Sequence, residues 1–140
     1  MNRVTLLFVT AILSLAFFAA CKKNSPSISS ELIGNWAYVR YAYDLNNNKY
    51  PDTNEWYKFN VATSNTGSLT FRSDNSGYRF RQNGTQIDTF SFYWSVGGNS
   101  ILLNKLDATQ LYLTVDTINS HQLVLIDTTG GNTLWVSMSK

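Results

Sequence analysis

From residue 68 onward, apolar and polar side chains alternate with a period of two. Leu69 and Phe71 oppose Thr70 and Arg72, and Tyr78 and Phe80 oppose Arg79 and Arg81. Phe90, Phe92 and Trp94 oppose Ser91, Tyr93 and Ser95, while Leu111, Leu113 and Val115 oppose Tyr112, Thr114 and Asp116. Leu123 and Leu125, then Leu134, Val136 and Met138, continue the apolar set. Successive side chains of a strand point to opposite faces, so this pattern predicts half-buried strands, and helical periodicity never holds for three turns. The pattern places strands at 32–43, 68–73, 77–82, 87–96, 100–104, 110–117, 122–127 and 133–139.

The separators carry turn chemistry. Asp74-Asn75-Ser76-Gly77, Asn83-Gly84, Gly97-Gly98-Asn99 and Gly130-Gly131-Asn132 all tolerate positive φ, and Asn119-Ser120 is a weaker version. Nearly every gap is too short for a crossover helix, so neighbouring strands pair antiparallel in order. One apolar face and one largely polar face are what a single curved sheet wrapped around its own interior requires. The expected fold is therefore all-β, an eight-stranded antiparallel up-and-down meander closed into a barrel, with a two-layer sandwich as the alternative. The long stretch between residues 43 and 68 is read as a loop.

The N-terminal segment has a different logic. Asn2 and Arg3 precede an apolar run over residues 4–18, too short for a spanning helix and followed by small residues, as in an export signal. Phe18-Ala19-Ala20-Cys21 resembles the lipobox of bacterial lipoproteins, although Leu is commoner where Phe18 stands. That resemblance implies cleavage before Cys21 and acylation of its sulfur and new α-amine. The organisation it implies is a signal peptide at 1–20, a lipid-anchored tether at 21–31 and a β domain at 32–140. An ordinary secretory signal is the alternative. Cys21 is the sole cysteine, so no disulfide competes for it. Lys22 stands where an Asp would indicate inner-membrane retention, and the expected location is the outer membrane, facing the periplasm.

Composition narrows the function. Of 140 residues, 44% are hydrophobic and 14% charged, against roughly 25% charged in a typical soluble domain. This excludes a disordered chain and a coiled coil. The net charge of +2 becomes +1 without Arg3, which argues against nucleic acid as a partner. His121 is the single histidine and falls at a predicted turn, and no Cys/His spacing suits a metal. Asp88, Asp116 and Asp127 are each explicable as outer-face charge. The expectation is a monomeric, non-enzymatic protein without cofactor or structural metal.

The first strand opens Leu32-Ile33-Gly34-Asn35-Trp36. Gly34-x-Trp36 at its head resembles the signature of lipocalins, and the later plan of long loop and seven hairpin-linked strands is similar to the short lipocalin-like domains of small bacterial lipoproteins. The resemblance implies that Gly34 and Trp36 plug the narrow end of the barrel, that the 44–66 loop gates its open mouth, and that a small hydrophobic ligand occupies the cavity. Two features depart from the family. Lipocalins pack a late arginine over the signature tryptophan, whereas the last strand here offers only Lys140. They also append a helix after the eighth strand, for which the sequence to Lys140 leaves no room.

By alternation, Phe71, Tyr78, Phe80, Phe90, Phe92 and Trp94 line the interior, as an apolar ligand pocket requires. Arg79 and Arg81, with Arg72 nearby, then face solvent. Arg40 shares parity with Trp36 and Tyr38, so an unbent strand turns it inward to meet a carboxylate of the protein or of a ligand, while a bulge turns it outward. Asp44, Asn46, Asn48, Asp52 and Glu55 fall at calcium-loop spacing, but Lys49 stands where that loop needs glycine. A packed barrel acting through an exposed patch of Tyr41, Tyr43, Trp56 and Tyr57 is the competing functional reading.

Overall fold

The computed structural model describes residues 27–46 and 48–140. The export segment, Cys21 and the first part of the tether lie outside the described residues. The first element among the described residues is a five-residue helix, α1 (Ile28–Leu32), capped by the Ser27 side chain accepting from the Ser30 N–H. So short a helix is not stable alone. It forms because Leu32 is wholly buried in the barrel core, with Ile28 packed beside it. Residues 28–31, expected as tether, are therefore part of the folded domain.

Nine strands follow: β1 (Gly34–Tyr43), β2 (Trp56–Lys58), β3 (Asn65–Phe71), β4 (Ser76–Asn83), β5 (Gln86–Gly97), β6 (Ser100–Lys105), β7 (Gln110–Ile118), β8 (Gln122–Asp127) and β9 (Leu134–Ser139). All lie in one antiparallel sheet, which closes through β1 against β9. The two-layer alternative is excluded. The added strand, β2, does not alter the eight-stave plan. It pairs with Arg40–Ala42 of β1, while β3 pairs with Gly34–Ala37 further down the same strand.

Register decides which side chains face inward. Within β3 and β4, Leu69 pairs with Arg79 and Phe71 with Gly77. Leu69 and Phe71 belong to the core, so Gly77, Arg79 and Arg81 also point inward, and Tyr78 and Phe80 point out. The expected parity of this strand is reversed. The physical reason is Gly77: the Phe92 ring occupies the space a Cβ there would fill. The Asp74 turn, whose carboxylate accepts from the Ser76 N–H at 2.9 Å, locks that register.

In β1 a bulge at Val39 shifts the register between Tyr38, paired with Met138, and Arg40, paired with Ser137. Trp36, Tyr38, Tyr41 and Tyr43 consequently face the interior, and Arg40 and Ala42 face outward. The outer wall carries its own apolar cluster of Ala42, Val124 and Trp135, with Trp56 and Ile126 against it. The 44–55 segment folds onto this wall, where Tyr50 lies 5.6 Å from Trp135 between ring centres. The expected mouth gate is thus, in this half, a cover for the barrel's side.

Candidate functional site

The two ends of the barrel differ in chemistry. At the closed end, Trp36 is fully buried and its Nε1 donates to the Leu32 carbonyl at 2.7 Å. Phe71 meets Phe92 and Trp94 edge-on at 5.7 and 5.6 Å, and Trp94 Nε1 donates to the Ser76 carbonyl at 3.1 Å. Aromatic pairs in this geometry add packing energy beyond burial. Phe71, Phe92 and Trp94, expected to contact a ligand, instead fill this end as mutual packing.

The open end is less tightly filled. One cavity of about 50 Å³ is lined by Tyr38, Arg79, Leu103, Leu111, Leu125 and Val136, among others. A second, of about 40 Å³, lies between Tyr41, Tyr43, Phe59, Arg81 and Leu134, and shares Tyr38, Arg79 and Val136 with the first. Pockets for drug-sized ligands run to roughly 300–1,000 Å³. The barrel is therefore mostly occupied by its own side chains, and Tyr38 and Arg79 line both of these voids.

An aromatic collar forms one wall of this end. Phe59 sits 5.1 Å from Tyr38 and 5.0 Å from Tyr41, and Tyr41 stacks on Tyr57 at 5.5 Å. Gly67 makes room for it: a Cβ there would lie 2.6 Å from the Tyr38 ring. The four aromatics read as one exposed patch are divided by the sheet, with Tyr41, Tyr43 and Tyr57 on the inner side and Trp56 outside.

Charge is the unexpected ingredient. Arg79 reaches Asp88 at 3.5 Å, with the Asp88 side chain 63% exposed. The guanidinium of Arg79 also lies 5.2 Å from the Phe90 ring, and the Lys105 ammonium is 4.7 Å from the same ring. Arg81 Nε is buried without a hydrogen-bond partner. Burial pushes the Tyr38 hydroxyl above its ordinary pKa, although the positive charges of Arg79 and Arg81 oppose the shift. Of the expected ligand contacts, only Phe90 belongs to this end.

Arg40 lies outside the barrel, its guanidinium 4.3 Å from the centre of the Trp56 ring. Tyr78 and Phe80 are also outside. The acidic loop is not arranged as a cation site. Asp44 accepts from the backbone N–H groups of Asn48 and Lys49 at 3.2 and 2.9 Å, and Glu55 from those of Leu45 and Asp52 at 3.1 and 2.8 Å. Among the described residues, no group of three or more His, Cys, Asp or Glu side chains converges on a metal position. The sequence reading missed Arg79, Arg81, Tyr41, Tyr43 and Tyr57 as interior residues. Its one available signal was Gly77, which marks the inward position from which the parity of β4 counts.

No family model matches the sequence, and no curated protein does. Solved structures do. A lipocalin-like protein from Bacteroides uniformis superposes with a TM-score of 0.56 at 15% identity, over 79% of this chain and 98% of its own. An uncharacterized protein from Bacteroides eggerthii gives 0.53 at 14% identity, over 78% and 99%. Together with the closed antiparallel meander and the buried tryptophan at the head of β1, these likenesses define the fold as lipocalin-like.

Proposed function

We propose that this chain is a lipid-anchored, non-enzymatic binding protein that takes up a small hydrophobic molecule at the open end of its barrel. The observation that carries the reading is the contrast between the ends: one sealed by Trp36, the other holding two adjoining voids behind an aromatic collar. Movement of Arg79 joins those voids, so entry requires a side-chain rearrangement rather than a preformed calyx. Catalysis has no comparable support. His121 is exposed at the β7–β8 turn and lines a separate, open cleft of about 410 Å³ with Arg40, Lys58 and Gln122, in which, among the described residues, no carboxylate or second histidine is present to pair with it.

Anchoring follows from the sequence at Cys21. Six residues separate it from α1, a reach of about 20 Å when extended. Acylation there tethers the closed end to the membrane, at the outer membrane's periplasmic face, and leaves the voids pointing away from the lipid. Multiple acyl chains make such an anchor stable.

The narrowness of the voids favours a second reading, a packed barrel acting through its surface. Native mass spectrometry of the protein purified from its own cells separates the two. A co-purifying small molecule, released on denaturation, is expected for uptake; a bare protein mass under gentle conditions contradicts it.

A further inference from the structure

The open end gathers charged side chains. Arg79, Arg81 and Lys105 project to the inner side from β4 and β6, and Asp88 and Asp127 from β5 and β8. Asp107 in the β6–β7 turn lies near enough to Lys105 for their charges to interact, so three cations and three carboxylates gather at this end. Asp127 is already engaged by the Thr129 N–H at 2.9 Å, and the Asp88 contact with Arg79 is long and exposed. Arg81 has a buried Nε with no partner. A guanidinium withdrawn from water without an anion is costly, and arginine presents a planar fork suited to a carboxylate. What Arg81 lacks is a partner for its Nε.

Resting on the uptake reading above, we propose that the molecule held at the open end is an amphipathic monoanion, with a carboxylate paired to Arg79 and Arg81. Its apolar body lies against Leu103, Leu111 and Val136, in the space that Tyr38 and Arg79 line. Arg79 exchanges its exposed contact with Asp88 for the ligand carboxylate, and the same motion opens one void into the other.

The test is calorimetric titration of the full chain in a non-ionic detergent with phenylacetate and with phenylacetamide, its uncharged counterpart of the same shape. Phenylacetate is expected to bind at least about tenfold more tightly. In the Arg79→Met/Arg81→Met double variant phenylacetate is expected to bind no more tightly than phenylacetamide, and in Arg79→Lys/Arg81→Lys part of the preference returns. Equal binding of the two probes by the unmodified chain overturns the anion proposal and leaves hydrophobic uptake standing. A preference that survives in the double Met variant places the anion elsewhere and also overturns it. If neither probe binds, both the anion proposal and uptake at this end fail.

Discussion

The Lys140 ammonium lies 4.4 Å from the centre of the Trp36 ring and donates to the Glu31 carbonyl at 2.7 Å. One side chain from the end of the last strand thus clamps the first strand and the C-terminal turn of α1. The stem of Lys140 lies against Gly34, whose φ of 137° suits glycine. Replacing Lys140 with Met removes the cation while keeping the stem. The expected loss is about 1 kcal/mol, read as a lower urea midpoint, with Lys140→Arg close to the unmodified protein.

Two tryptophans make a matched comparison. Trp36 Nε1 donates to a buried carbonyl, whereas Trp135 Nε1 is buried with no partner. Trp36→Phe strands the Leu32 carbonyl and is expected to cost about 1–3 kcal/mol for the lost bond, before any packing loss. Trp135→Phe gives up only packing and is expected to cost less. Urea denaturation of both variants checks the order, and a larger loss at Trp135 would contradict the placement of the closed end.

The Tyr38 hydroxyl gives a pH signature. Its pKa in the folded protein is raised above 10.0 by burial, so the folded state keeps a proton that the unfolded state begins to lose near that value. Its contribution to stability is full below pH 10 and falls as pH rises through the folded pKa. Denaturation curves across the alkaline range are expected to decline less steeply for Tyr38→Phe than for the unmodified chain.

In the loop before β2, the Asp44 and Glu55 carboxylates accept from backbone N–H groups. Glu55 is 7% exposed and accepts two such bonds. Glu55→Ala is expected to cost at least about 1–3 kcal/mol, while added calcium or a chelator leaves the melting midpoint of the unmodified protein where it was. A calcium-dependent rise would reverse the reading of the loop.

The meander was legible because alternation and turn chemistry agree at almost every hairpin, and each expected strand overlaps an observed one. The strand β2 was not, since three residues inside a polar loop carry too little periodicity to register. Face assignment failed where both faces held large side chains. In β4, aromatic and arginine alternate, and hydrophobicity alone put Tyr78 and Phe80 inside. Packing of Phe92 over Gly77 outweighs that preference and turns Arg79 and Arg81 inward. In β1, a single bulge residue, Val39, reverses parity between Tyr38 and Arg40. Nothing local in the sequence marks that bulge. It is a property of how β1 meets β9. Of the expected contacts, Phe71, Phe92 and Trp94 therefore fall at the closed end, where the aromatic residues are densest.

The most direct measurement of uptake at the open end is methyl NMR of the leucine-labelled full chain during titration with phenylacetate. Shifts are predicted at Leu103, Leu111 and Leu125, which line the larger void, with Leu32 and Leu123 at the sealed core unmoved. Shifts confined to other leucines, or none at saturating probe, would contradict it.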